Sequence, residues 1–427
     1  MENKLICPDE RDGLHLHLYN TEKFKTISVM LTIRAPLRKQ CMTSRVLLSQ
    51  ILNGGSMNYP TRKKIQHKLD EMYGAELSWD THKKGEEHCI FFKMEISADQ
   101  FLNDGNSLLQ SSLLLLHEII YNPLLEDGAF RPQIVEREKQ LLKQRIDSMF
   151  NEKILYAHVR LIEEMYQDED YAIPPLGSKE LIDSLHEVSV FQVYEDMLRN
   201  DRFDLFIVGA FDEKAVRLMV KDIFCEVYNI KPTNKITHDD SGVDAVKVIH
   251  DHLDVQQGTL LMGYRTFTTI QDEHYEAARV ANAIFGRFPT SRLFSSIREK
   301  QGLAYYAQSQ MESNKGLLVA MAGIEFDHYD RVIELIREQE YAMKNGHFTE
   351  VEVEQGKSLL INMLLEAHDS PAGIMDIFIQ AVDSGSSIEI QDHIQRISNV
   401  TKEDIICAVN KWELDTIYFL NRKESTI

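Results

Sequence analysis

Phe130 is followed eight residues later by the run Glu138-Lys139-Gln140-Leu141-Leu142. Phe348, 218 positions further on, is followed at the same spacing by Gly356-Lys357-Ser358-Leu359-Leu360. A second pair of segments repeats less strictly. Residues 65–68 with Gly74, Ala75 and Leu77 have the pattern of a helix, a glycine stop and a strand; residues 297–300 with Gly302, Leu303 and Tyr305 have it again, and the two glycines stand 228 apart. The chain has 427 residues, about twice this offset. A stretch that recurs at a fixed interval encodes the same folding unit each time, so two equivalent halves are expected.

Both halves follow one order of elements. Each opens on an apolar strand (26–33; 258–264) and a helix (43–52; 274–285), then a short amphipathic helix and one or two alternating strands. Residues 88–96 and 316–324 read as half-buried strands by their period and β-rich content. Long amphipathic helices at 100–120, 130–150, 329–345 and 349–368 close the halves, and a strand ending at Gly209 and a helix over 213–227 finish the first. Strand runs followed by helix runs predict an α+β fold of two homologous halves, each a mostly antiparallel sheet packed with helices, forming a two-jaw clam-shell. Residues 231–245 are polar, contain Pro232 and Gly242 and have no apolar period, which is linker chemistry. The domains are therefore expected at 1–230 and 246–427, with a cleft between the jaws as the ligand site.

Lysine and arginine number 47 against 67 acidic residues, a net charge of −20. So acidic a surface repels phosphate backbones and anionic lipid, and no basic block reverses it locally, so neither nucleic acid nor a membrane is an expected partner. The five cysteines, Cys7, Cys41, Cys89, Cys225 and Cys407, are odd in number and never spaced C-x-x-C; reduced, mostly buried thiols are expected instead of a disulfide framework or a cysteine-held zinc. The first ten residues carry acids where a signal peptide needs an apolar stretch, and the leucine run 113–116 is far too short to cross a bilayer. A cytoplasmic protein is expected.

The most distinctive local segment is residues 291–305, Ser-Arg-Leu-Phe-Ser-Ser-Ile-Arg-Glu-Lys-Gln-Gly-Leu-Ala-Tyr. Gly302 is placed to stop a helix that ends near Arg298, and Tyr305 falls on the strand that leaves it. A guanidinium offers five permanent N–H donors and a phenol one O–H. Two such donors can orient a peptide carbonyl and stabilise charge developing on its oxygen; spacing alone equally permits a surface ion pair for Arg298 and a core aromatic for Tyr305. Together with the duplication, the linker, Asn122-Pro123-Leu124 and the helix from Phe348-Thr349-Glu350 onward, this segment resembles the M16 family of peptidases (pitrilysin, insulinase, mitochondrial processing peptidase) over nearly the whole chain. The resemblance implies that Arg298 and Tyr305 face the cleft.

An active member of that family carries H-x-x-E-H on the early helix and a further Glu on a later one, because a catalytic zinc needs three protein ligands, an open position and a carboxylate base. None of the sixteen histidines stands four residues from another, so neither H-x-x-E-H nor H-E-x-x-H can occur here. Counting back from Gly54 puts Arg45 and Ser49 at the two histidine positions and Leu48 at the catalytic glutamate. Shifting the register by one gives Val46, Gln50 and Ser49. On the later helix Glu138 keeps the first acidic position, and Arg145, two turns further along the same face, replaces the ligand. Arginines at such positions repel a divalent cation. The remaining clusters read as ordinary structure: residues 82–88 as a solvated hairpin tip, His250-Asp251-His252 as a surface strand entry with two histidines on one face and no third ligand, and His117-Glu118 as a pair lacking a second histidine.

The resemblance is closest to the silent member of the bacillus-type M16 pairs. It implies a metallopeptidase-like chain, inactive alone and without a metal or cofactor of its own. Such a chain pairs with an M16-type chain that carries H-x-x-E-H and the zinc, and contributes Arg298 and Tyr305 in trans to the carbonyl of a peptide substrate. A non-enzymatic peptide-binding or scaffold protein of the same fold is the alternative, and a homodimer is left open.

Overall fold

A computed structural model describes residues 13–101, 107–224 and 242–423; most of the expected linker, residues 231–241, lies outside them. The described chain forms two compact units, one drawn from 1–148, 173–236 and 367–379, the other from 149–172, 237–366 and 380–427. The first unit contains strands β1 (Leu14–Asn20), β2 (Thr26–Pro36), β3 (Glu76–Lys84), β4 (Glu87–Ser97), the two-residue β5 (Leu125–Glu126) and β6 (Ala129–Phe130), and β7 (Arg202–Gly209). The second contains β8 (Lys247–Leu253), β9 (Gly258–Arg265), β10 (Ala304–Glu312), β11 (Leu317–Ile324) and β12 (Glu413–Arg422).

The two five-stranded sheets have one topology. Their orders are β1-β7-β2-β4-β3 and β8-β12-β9-β11-β10. In each the outermost pair (β1/β7, β8/β12) is parallel and every other pair antiparallel. The central strands β2 and β9 are buried along nearly their whole length, which is why they read as continuous apolar runs and not as alternating ones.

The helices of the first half are α1 (Lys39–Leu52), α2 (Arg62–Glu71), α3 (Leu108–Tyr121), α4 (Pro132–Asn151), α5 (Lys153–Met165), α6 (Lys179–Ile182), α7 (Glu187–Asn200) and α8 (Glu213–Ile223). Those of the second are α9 (Tyr275–Asn282), α10 (Tyr329–Lys344), α11 (Glu350–His368), α12 (Pro371–Ser384), α13 (Ile390–Ser398) and α14 (Lys402–Asn410). Several begin where an oxygen side chain satisfies a free N–H of the first turn: Thr61, Ser107, Asp212 and Thr401 accept from Lys64, Gln110, Ala215 and Asp404. The Ser107 cap starts α3 later than residue 100, and the Asp99 carboxylate, bonded to Ser107 Oγ and the Leu108 N–H, fixes that start. The expected helix over 274–285 is α-helical only to Asn282 and continues as a wider π-helical turn to Arg287.

The duplication extends to single side chains. Helices α4 and α11 begin 218 positions apart, as do α5 and α12. The matched lysines are both buried and do the same work. Lys139 Nζ donates to Leu185 O at 2.9 Å and lies 3.5 Å from Glu136, three residues earlier; Lys357 Nζ donates to Ser398 O at 3.1 Å and 3.0 Å to Glu354, also three residues earlier. Each ammonium ties its long helix to a carbonyl a few residues ahead of a later helix (α7, α14). Lys139→Met and Lys357→Met should each cost about 1–3 kcal/mol by leaving a carbonyl without its donor. The matched pair should show similar losses in urea unfolding, and markedly unequal losses would mean the two lysines are not equivalent.

Candidate functional site

Residues 42–52 of α1 are all buried, so the α1 positions matched to a metal site, Arg45, Leu48 and Ser49, lie in the interior of the first unit. Arg45 is 5% exposed. Its Nε donates to His88 Nδ1 at 2.9 Å and its Nη1 to Asp201 Oδ2 at 2.5 Å. One guanidinium thus joins α1, strand β4 and the residue that follows α7. Because His88 Nδ1 accepts this bond, a neutral ring carries its proton on Nε2. Burial, and then the charges of Arg45 and His82, hold His88 well below its ordinary pKa. Burial pushes the Asp201 carboxyl up to about 6 against the opposing pull of Arg45. Leu48 is fully buried, and the Ser49 hydroxyl is spent within its own helix on Val46 O at 2.8 Å. Val46 and Gln50, the alternative register, are buried too.

His88 corrects the sequence reading. Residues 82–88 do form a hairpin, but its second arm is an interior strand: His88 lies between Lys83 of β3 and Ala35 of β2 and is 1% exposed. Its signal was in the sequence, since His88 shares parity with Ile90, Phe92, Met94 and Ile96, all buried.

Glu138 and Arg145 end in different environments. Glu138 is fully buried, with Arg62 on one oxygen at 2.9 Å and Arg137 on the other at 2.8 Å. Arg145 is exposed and pairs with Asp80 of β3 at 2.7 Å. Glu118 is committed to the loop after α1, accepting from the Asn58 N–H and from Asn58 and Asn122 side chains. In the second unit His250 and His252 lie exposed on one face of edge strand β8, as alternation requires. Among the described residues no three His, Cys, Asp or Glu side chains are grouped to hold a metal ion. The described cysteines are free thiols: Cys89 is buried, Cys41 half-buried and Cys407 exposed, while Cys7 and Cys225 lie outside the described residues.

A second cluster of buried charge braces the first sheet. Asp204 of β7 accepts from His17 Nε2 and Arg202 Nη2, both at 2.8 Å, and lies 3.1 Å from Arg34 Nε. Burial alone would raise its pKa, but the His17 bond and the two arginines outweigh burial and hold it well below the carboxylate range. Asp204 therefore contributes stability at neutral pH that is lost only in strong acid, as pH falls below the ordinary carboxylate pKa of about 3.9 and on through the lowered one. Asp204→Asn should flatten that acid limb of a stability–pH profile; an unchanged limb would remove Asp204 as its source.

In the second unit, residues 294–300 form a π-helical turn closed by Gly302, whose φ is +66° and whose N–H bonds Arg298 O at 3.2 Å. Only glycine adopts that left-handed stop without strain. Arg298 is exposed, makes no ion pair among the described residues and lies with its guanidinium 4.8 Å from the Phe294 ring centre. Tyr305 is no core aromatic: it is 60% exposed. It is the extra residue of a β-bulge, because Ala304 pairs with Ile324 and Tyr306 with Gly323. Bulges re-aim side chains, and this one lies on β10, the edge of its sheet. The Tyr305 hydroxyl donates to Glu325 Oε1 at 2.6 Å, which raises its pKa and keeps it a protonated donor.

This is a duplicated α+β body in which Arg45, Leu48 and Ser49 are buried and, among the described residues, no group of three acidic, histidine or cysteine side chains could hold a metal ion. Residues 189–360 match the family model described as "Peptidase M16 inactive domain". The chain is 40% identical over 412 residues to the "Probable inactive metalloprotease YmfF" of Bacillus subtilis, spanning 96% of each chain. Its fold is similar to that of a conserved protein from Enterococcus faecalis V583 (TM-score 0.92, 28% identity) and of a "peptidase M16 inactive domain" from Pseudomonas fluorescens (TM-score 0.82, 15% identity), with all of each chain covered. The chain belongs to the M16 peptidase family and is an inactive metalloprotease homologue within it. No helix among the described residues is long and apolar enough to cross a membrane.

Proposed function

We propose that this chain is the silent subunit of a two-chain M16-type peptidase in the cytoplasm: it pairs with a chain that carries H-x-x-E-H and zinc, and lends Arg298 and Tyr305 to the scissile carbonyl of a bound peptide. The observation that carries this reading is the contrast between the two regions. The positions of α1 matched to a metal site are buried, with Arg45 and Ser49 already hydrogen-bonded, whereas Arg298 and Tyr305 are exposed donors, one without an ion pair among the described residues and the other re-aimed by a bulge. The partner's zinc would supply the activated water. Arg298 would meet the carbonyl oxygen with a fixed charge, and Tyr305 would transfer its O–H from Glu325 to the same oxygen. The free thiols are those a reducing compartment maintains.

The Tyr305–Glu325 bond also favours a second reading, a peptide-binding scaffold whose tyrosine is merely structural. Mixing decides between them. The purified chain is titrated into a relative that keeps H-x-x-E-H, with peptide hydrolysis and zinc content followed together. Turnover that saturates at one copy of each, with one zinc per pair, supports the subunit reading. Binding of peptide without any gain in turnover supports the scaffold, and self-association in place of pairing makes the chain a homodimer.

A further inference from the structure

Helix α5 and most of helix α12 cross over between the halves of the duplication. By sequence α5 belongs to the first half, but residues 149–172 belong to the second unit; by sequence α12 belongs to the second half, but residues 367–379 belong to the first unit. The two helices begin 218 positions apart, so this is one exchange made twice, built into the repeat.

Each exchanged segment is fastened by specific contacts. In the second unit Asp251 Oδ2 accepts from Tyr418 Oη at 2.8 Å, Arg160 Nε at 3.0 Å and Tyr156 Oη at 3.2 Å. The carbonyls at the end of α5 are taken by Lys247 (Glu164 O, 2.7 Å) and Arg265 (Met165 O, 3.1 Å). Lys315 and Arg265 share the Glu169 carboxylate at 2.5 and 3.2 Å, and both lie 4.7 Å from the Tyr166 ring centre. At Gly263 of β9 a Cβ would come within 2.2 Å of Met165 Sδ, so the glycine lets α5 lie directly on the strand. In the first unit the Phe378 ring packs on Phe206 at 5.5 Å, His17 at 6.0 Å and Tyr19 at 6.2 Å. Lys23 caps the end of α11 through His368 O at 2.8 Å and Asp369 at 2.6 Å.

We propose that this reciprocal exchange makes the two units a single cooperative folding unit, because each sheet lacks a covering helix until the other half of the chain is present. Units of this size ordinarily unfold in separate steps. Here the first unit needs residues 367–379, so it is completed only after most of the chain has been made, and not when the first half emerges. Loss of one exchanged helix strips apolar cover from one sheet.

The chain's two tryptophans report the units separately: Trp79 is on β3 of the first, and Trp412 is in the core of the second. Protein labelled with 5-fluorotryptophan is titrated with urea and both native fluorine signals are followed. The expected result is one shared midpoint, and Phe378→Leu, which alters a first-unit contact only, should lower both midpoints by the same amount. Two separate midpoints in the unsubstituted chain, or a Phe378→Leu shift confined to the Trp79 signal, would overturn the proposal. If Phe378→Leu fails to fold, the titration of the unsubstituted chain decides alone.

Discussion

Arg45→Met should lower the stability of this protein by about 3–5 kcal/mol, the scale expected when one member of a buried ion pair is removed. The methionine would fill much of the volume, so a cavity contributes little. The loss comes from what is left behind: an Asp201 carboxylate without its cation and a His88 Nδ1 without its donor, both buried. The sign of the pH dependence follows. The folded Asp201 pKa, about 6, is already above the ordinary 3.8, so its contribution is present below about pH 4 and lost as pH rises through 6. Without Arg45 that pKa rises further and the loss extends to higher pH. His88 is depressed, so its contribution is present above about pH 6.5 and lost as pH falls; removing Arg45 relaxes that penalty. Both shifts make the variant's deficit greater at pH 8 than at pH 5. Urea unfolding at the two pH values measures it, and a deficit below about 1 kcal/mol that ignores pH would mean the bridge does not hold these elements.

Local pattern carried the parts of the fold that burial sets directly. The central strands announce themselves as apolar runs, the long helices by their period, and Lys139 and Lys357 by an offset that the structure turns into matched hydrogen bonds. The absence of zinc-binding histidine spacing was a matter of counting. What stayed hidden depends on distant chain. Charged neighbours made residues 82–88 look solvated, yet His88 is buried because β2 and β3 flank it. The sequence shows Tyr305 on a strand but not that it is a bulge, since a bulge is a mismatch with β11 and leaves no local mark. The helix exchange is hidden for the same reason: α5 has the period of any amphipathic helix, and nothing within it says which sheet it will cover.

Arg298→Ala should reduce turnover by the proposed two-chain peptidase about 10²–10³-fold, as when one preorganised donor to a developing oxyanion is lost. The effect should fall on kcat more than KM, because the guanidinium gains most from the charge that appears only in the transition state. Arg298→Lys should restore little, since an ammonium cannot reproduce the planar fork. Tyr305→Phe should cost less, about tenfold, because the wild-type hydroxyl must first give up its 2.6 Å bond to Glu325. Glu325→Gln separates this from a structural effect: weakening the competing acceptor should leave turnover unchanged or raise it, whereas a purely structural Tyr305–Glu325 bond would make it fall. Arg298 is exposed and has no ion pair to lose among the described residues, so its substitution should change folding stability by no more than about 0.5 kcal/mol. An Arg298→Ala chain that supports full turnover in the mixture would leave the scaffold reading in place.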